Sequence, residues 1–509
     1  MTTLSKNIIY NFLGQVALLL LGFVAVRYMF NRLGGDAVGI IYFVAMMKMV
    51  FSAVLEMGIC ATTVREVSGH YHLDTGYIHR MIRTFSLFYW TIYLLLAVIV
   101  YFFSPLIVRY WINIVSMDKD TAVFVLRFLG IAALTVFPRS FFASLFKGLQ
   151  KMEINNTIDV IVTAFQQIGA ITILLIGGGI YSFVVWYSAC YVLQLVAYIL
   201  ISMRIFSYKS LIPWYSHDVV VRNKAFAVHM IAISFLATIN VQADKLIVSK
   251  ILPISLLGYY GFAYSAISRT GVIGGAISQA AYPMFSKLFR EGNKKALSEQ
   301  YHKLQDMLCY GMVPVLAFVM FFFMPAFSYM FDIIVARKLL LPAFFLCVGF
   351  YMNNTLKTSY VYSLAVGKPR IGFKQNLYTI LIVLPLSVGL IKSFGLKGAG
   401  FSWVFYQIFA YLYSVPRVCR ECLDIPVFEW YAHIAKIFVL IAGTYGVAWY
   451  VISVNEFNSF FLIFGAYAVA STFFILISFF MVGKGLKGLL EKYFNNFVKL
   501  LVGRYSLVR

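Results

Sequence analysis

The sequence predicts an all-α, polytopic membrane protein: about 14 transmembrane helices, with two parallel-repeat six-helix lobes around a central cavity plus two C-terminal helices. Three observations carry that expectation. Of the 509 residues, 62% are hydrophobic and only 12% charged, about half the charged share of a soluble domain. The apolar positions gather in runs of about 20 residues, the length that carries a helix across the hydrocarbon. They do not alternate over strands of about 10 residues, as a closed barrel would require.

Spans are expected at 8–30, 37–58, 84–108, 122–146, 157–177, 181–203, 225–249, 257–282, 306–329, 341–365, 372–392, 399–416, 431–451 and 459–482. The first is too long for a cleaved signal peptide and contains Asn11 and Gln15. It leads straight into the next span and is expected to stay in the mature chain. The spans group into an N-terminal lobe at 1–203, a cytoplasmic linker at 204–224, a C-terminal lobe at 225–418, accessory helices at 431–482 and a basic cytoplasmic tail at 483–509. A short echo supports two parallel repeats: Gly39-Ile40-Ile41-Tyr42 and Gly261-Phe262-Ala263-Tyr264 recur 222 residues apart. Trp186 and Trp403 similarly mark short turns entering helices six and twelve. Six spans separate the copies, and an even number preserves orientation.

The charge is lopsided, with 42 Lys and Arg against 19 Asp and Glu. With the amino terminus taken as cytoplasmic, the loops on its side hold 27 cations and the opposite loops 8, so both termini are expected inside. The basic residues are spread over loops rather than gathered with aromatic stacking positions, so topology, not nucleic acid, accounts for them. Seven cations remain within or at the ends of apolar helices: Arg27, Lys48, Arg127, Arg139, Lys245, Arg269 and Lys436. A charge at that depth is costly unless it faces protein or water, which makes each one a candidate site. Lys48 and Arg269 lie mid-span, nine residues after Gly39 and eight after Gly261. With Arg27 and Lys245 they would line a positive cavity suited to an anion. Arg27 can also snorkel to the interface, Lys245 has Asp244 as an adjacent partner, and Arg139 can pair with Asp159 on the next helix. Arg139 and Lys436 are secondary candidates. Glu56, Asp159, Asp244 and His229 are the candidates for coupling or charge pairing.

No Gly-x-x-x-x-Gly-Lys-Ser/Thr loop, His-Glu-x-x-His motif or paired-carboxylate constellation stands out, so no catalytic residue, metal site or cofactor is assigned and transport outranks catalysis. Cys419-Arg420-Glu421-Cys422 is an isolated CxxC, too little for zinc. Pro138, Pro314, Pro342 and Pro385 fall in or near spans, where they kink helices.

Several segments also carry a resemblance: Lys6 to Gln15, Arg32 to Gly39, Asn240 to Val248, Leu257 to Gly261, Leu364 to Pro369 and Gly395 to Gly400. Together they resemble the polysaccharide-transporter family of lipid-linked oligosaccharide flippases, of the Wzx type found in O-antigen pathways. The resemblance implies the fold of the multidrug/oligosaccharidyl-lipid/polysaccharide superfamily, with a cavity lined by basic residues at positions matched here by Arg27, Lys48, Lys245 and Arg269. The implied cargo is an undecaprenyl-pyrophosphate-linked glycan, moved from the cytoplasmic to the periplasmic leaflet of a bacterial inner membrane by alternating access. Membrane lipids and a polysaccharide polymerase or chain-length machinery are the implied partners, with proton or sodium coupling left open. Fourteen helices leave the branch open, since the related peptidoglycan-precursor flippases also have fourteen. The alternatives are a multidrug or small-molecule exporter of the same superfamily and a non-transport scaffold for glycan assembly.

Overall fold

The computed structural model describes residues 18, 21–55, 59–71, 73–206, 208–455, 459–483 and 486–488, with the side chains of 53–55 and 225–233 outside that description. Among the described residues the fold is all-α, the sole strand-like pairing being an isolated bridge between Asn113 and Pro253. Among the described residues, ten helices are long and apolar enough to cross a membrane. The helices are α1 (21–33), α2 (Gly35–Leu55), α3 (Ala61–His70), α4 (Thr75–Tyr110), α5 (Lys119–Ala133), α6 (Val136–Gly148), α7 (Met152–Leu175), α8 (Ile180–Ile205), α9 (Tyr208–Leu211) and α10 (His217–Ile251). They continue as α11 (Ile254–Ser268), α12 (Gly271–Arg290), α13 (Lys294–Phe321), α14 (Phe323–Met330), α15 (Ile333–Ala365), α16 (Arg370–Phe394), α17 (Leu396–Val418), α18 (Val427–Ile441), α19 (Val447–Val454) and α20 (Phe460–Met481).

The chain forms two compact units, Met1–Gly261 and Phe262–Arg509. The long helix α10, expected to open the C-terminal lobe, packs on α2 within the first unit. That unit's core is aromatic: Tyr77, Phe85 and Tyr89 of α4 meet Phe137, Phe141 and Phe146 of α6 and Tyr198 of α8. Its loops are pinned by a buried anion. Asp36, in the first turn of α2, accepts hydrogen bonds from the backbone N–H groups of Val115, Ser116 and Met117 at 3.0, 2.6 and 3.1 Å and from the Ser116 hydroxyl at 2.9 Å. One carboxylate at a helix N-terminus thus satisfies three donors of a turn that has no ladder of its own.

Glycine sets the closest helix approach. A Cβ on Gly39 would collide with the Ile254 carbonyl, one on Gly258 would sit 3.0 Å from the Gly39 nitrogen, and one on Gly261 would meet the Tyr42 ring at 2.7 Å. The Gly39 and Gly261 motifs therefore mark two sides of one contact in the first unit, the small-residue packing that lets membrane helices touch through their backbones. Trp186 and Trp403 each lie over a glycine, Gly169 and Gly349 respectively. Their supporting helices, α7 and α15, are not counterparts in a six-helix repeat.

Several expected spans are interrupted. The span at 122–146 divides at Leu134–Thr135 into α5 and α6, three residues before Pro138, which brings no N–H to the ladder. The span at 257–282 divides at Arg269–Thr270, and the span at 431–451 contains a π segment, Ala442–Gly446. The polar stretch after the second span, expected as loop, instead carries the helix α3.

Packing at Gly39 yields a stability prediction. Gly39→Ala should destabilise the purified protein by about 1–3 kcal/mol, read as a lower unfolding temperature in detergent. Gly465→Ala, where nothing lies within 4 Å of the added carbon, should be neutral or slightly stabilising.

Candidate functional site

Lys48 lies on the α2 face turned toward α8. It is half-buried; its ammonium stands 3.5 Å from the Tyr191 hydroxyl and 5.0 Å from the centre of that ring. The phenol supplies an acceptor and a π face without cancelling the charge, and Lys48 forms no ion pair among the described residues. Its positive charge therefore stays available to an anion. Tyr187, one turn earlier on α8, lies within electrostatic reach of both Tyr191 and Tyr42. Arg27 is half-buried on α1. Glu56 lies outside the described residues, as does the side chain of His229.

Lys245 is arranged differently. Its side chain is 7% exposed and that of Asp244 6%, and the two meet at 2.9 Å. The ammonium also donates to the Val241 carbonyl at 2.9 Å, and the second Asp244 oxygen accepts from the Tyr260 hydroxyl at 2.7 Å. A buried pair so completed neutralises itself, so Lys245 contributes little net charge to a cavity. Arg139 meets Asp159 at 3.3 Å, joining α6 to α7. Gln194 and Tyr198 of α8 donate to the same Asp159 oxygen at 2.8 and 3.0 Å.

The sequence reasoning missed Glu66 on α3. Its side chain is 4% exposed and lies 2.6 Å from Arg65, 3.2 Å from Arg222 on α10 and 3.4 Å from His70. Asn223 adds a bridge from Arg65 to the Tyr77 hydroxyl. The adjacent Arg65-Glu66 pair was visible, but only the fold brings Arg222 to it from 156 residues away.

In the second unit Arg269 is exposed at the break between α11 and α12. The break has a local cause. Thr270 turns its hydroxyl back onto the Ile267 carbonyl at 2.7 Å, and the backbone tightens through Thr270 N to Ile267 O and Val272 N to Arg269 O. Such back-bonding competes with the regular ladder and bends the helix. Lys357, counted in the sequence among loop cations, proves to lie two turns inside α15. Its ammonium donates to the Gly271 carbonyl at 2.9 Å and to Asn354 Oδ1 at 2.8 Å. A Cβ on Gly274 would collide with Asn354 Oδ1 and sit 3.0 Å from the Lys357 nitrogen. Gly274 thereby lets this lysine reach the break beside Arg269. The polar run Asn353-Asn354-Thr355 inside an apolar span was the available signal.

Lys436 is exposed on α18, and nearby His433 pairs with Asp306 of α13 at 3.1 Å. Asp306 also accepts from the backbone N–H of Gly483 at 3.0 Å, tying the chain beyond α20 to α13. Cys419 and Cys422 are free thiols on the π turn Cys419–Leu423. Burial pushes Cys419 up to about 11 and raises Cys422 as well, so both favour the unreactive thiol form near neutral pH.

Comparison with known proteins places this arrangement. The chain is similar in structure to the lipid II flippase MurJ in an inward closed conformation, with a TM-score of 0.72 at 15% identity over 93% of this chain and 98% of that one. It is also similar to an inward-facing multidrug resistance MATE family transporter of the MOP superfamily, with a TM-score of 0.64 at 14% identity over 79% of this chain and 95% of that one. A MOP superfamily transporter from Pyrococcus furiosus, described as having a binding pocket of reverse polarity, gives a TM-score of 0.54 at 13% identity over 84% and 94% of the two chains. At such identities the likeness is one of fold alone: a multi-pass, all-α fold similar to those of these transporters. No curated protein matches the chain in sequence. Residues 4–289 match the family described as polysaccharide biosynthesis protein, and since that match spans more than half of the 509 residues, the chain belongs to that family.

Proposed function

We propose that the protein is an alternating-access flippase for a lipid-linked glycan carrying an anionic linkage, an undecaprenyl-pyrophosphate-linked oligosaccharide of an O-antigen-like pathway. It moves this cargo from the cytoplasmic to the periplasmic leaflet of a bacterial inner membrane, with both termini cytoplasmic. The observation that carries the proposal is Lys48: a cation deep in an apolar helix whose neighbour is a phenol instead of a carboxylate. Retaining an uncompensated charge in a span is expensive, and an anionic ligand that visits the site relieves the cost. Arg269, exposed at a helix break braced by Lys357, is the corresponding cation of the second unit. Arg27 remains a proposed contact. Lys245 enters the proposal as a structural charge pair with Asp244 that holds α10 in shape. The fourteen-span, two-lobe arrangement with accessory C-terminal helices is part of the same reading, as is the absence of a catalytic role.

The fold likeness to the MATE family transporter makes export of small molecules the second reading. A cation exporter needs carboxylates free to meet its cargo. Asp244 is buried and spent on Lys245 and Tyr260, and Arg139, Gln194 and Tyr198 all converge on one oxygen of Asp159, which favours an anionic cargo.

Two measurements test the proposal. Lys48→Ala and Arg269→Ala should each slow translocation of a defined undecaprenyl-pyrophosphate glycan in proteoliposomes by roughly tenfold or more, the worth of one charge-assisted contact, with membrane insertion unchanged. Wild-type rates in both variants would remove the assignment. If transport is driven by an ion gradient through Asp159, then imposing a proton or sodium gradient should accelerate the wild type and leave Asp159→Asn unaffected. A rate indifferent to both gradients rejects coupling.

A further inference from the structure

The second unit contains a cavity of about 700 Å³ that none of the candidate cargo residues lines. Its walls come from α13, α15, α18, α19 and the π segment Ala442–Gly446, and they are overwhelmingly apolar, with Phe344, Phe438 and Trp449 among them. The volume falls within the range of roughly 300–1,000 Å³ of pockets that enclose small ligands. The exceptions to its apolar character are informative. Arg337, in the first turns of α15, and Lys397, at the start of α17, are the charged lining residues, and both are exposed. No acid lines the cavity, and neither cation forms an ion pair among the described residues, Asp332 before α15 included.

The depth of the cavity matches one leaflet. Arg337 and Tyr351 both line it and lie 14 residues apart on α15, about 21 Å of helix. Half of a bilayer, headgroups included, is about 20–22 Å thick. The cations thus stand at headgroup level when the far end reaches the midplane, on the side that the charge distribution of the loops makes exterior. The π segment contributes to this shape. A π turn widens the helix by one residue, and here it presents the small residues Ala442 and Gly446 to the cavity; such bulges are frequent at functional sites.

We propose that this cavity holds an anionic glycerophospholipid of the exterior leaflet, its phosphate between Arg337 and Lys397 and its acyl chains against the apolar walls. Charge complementarity selects an anionic head, the one-leaflet depth selects a lipid, and the absence of Arg27, Lys48, Lys245, Arg269 and Lys357 from the lining separates the site from the proposed cargo contacts. The occupant is therefore a resident of the membrane, holding α18 and α19 against α13 and α15, and the proposal does not depend on what the protein transports.

Native mass spectrometry of the full chain in detergent tests it, with dioleoylphosphatidylglycerol, dioleoylphosphatidylcholine and undecaprenyl phosphate as probes. The wild type should retain one phosphatidylglycerol in preference to phosphatidylcholine. The double variant Arg337→Gln, Lys397→Gln changes only exposed side chains, and it should lose that retention by roughly tenfold or more. Lys287→Gln with Arg290→Gln, which removes two exposed cations elsewhere in the unit, should retain it. Ala442→Trp, which fills the cavity, should abolish retention of phosphatidylglycerol in protein whose helix content is unchanged. Equal retention of the two phospholipids, or undiminished retention by the Arg337, Lys397 variant, overturns the proposal. So does displacement of phosphatidylglycerol by undecaprenyl phosphate, which would give the cavity to a polyprenyl carrier.

Discussion

A charge or backbone polar group in hydrocarbon has no water to turn to, and this single constraint organises the molecule. Asp36 is tolerated because three backbone donors and a hydroxyl converge on it. Asp244 is tolerated because Lys245 and Tyr260 share its two oxygens, and Asp159 because an arginine, an amide and a phenol surround it. Each cluster joins separate helices or loops, the Asp36 cluster across 80 residues of sequence, so satisfying the polar group also fixes which elements are neighbours. Against that background Lys48, which meets no carboxylate among the described residues, is the exception on which the proposed function rests.

The same constraint explains the interruptions. A helix that bends in lipid must find new partners for its ladder, and each break here is closed locally. Thr135 returns its hydroxyl to the Ala132 carbonyl at 2.7 Å, and Thr270 does the same to Ile267. At the second break Lys357 adds a donor from another helix. Breaks stabilised by so few bonds suit the proposed transport cycle, because the bonds that must be exchanged are few and near one another. The exposed Arg269 sits on such a break, so a change in the bend would also move a cation.

Much of the architecture was legible in composition and run length. Segments near 181–203 and 459–482 become α8 and α20 with little change, and 84–108 lies within the longer α4, because a long apolar run admits no other backbone solution in a bilayer. The pairing of Arg139 with Asp159 and of Lys245 with Asp244 was also legible, since opposite charges within apolar spans at short range in sequence have few alternatives. The candidate site was less so. Lys357, near the end of its expected span, counts as a loop cation in the sequence, yet its partner, the Gly271 carbonyl, lies 86 residues earlier. Beyond its neighbour Arg65, nothing in the sequence marks Glu66, because its second arginine comes from α10.

By itself the amino-acid sequence determined that this chain lies in a membrane as helices, where its charges are scarce and which of them sit deep. Those properties follow from hydrophobic transfer and helix length, which act residue by residue and run by run. Tertiary structure decided which charges cancel and which remain. Lys48 and Lys245 are both lysines in apolar helices, and the sequence offers Lys245 an adjacent acid without fixing whether the two side chains meet. A carboxylate 2.9 Å away silences one, whereas a phenol leaves the other its charge, because electrostatic pairing depends on distances that only packing sets.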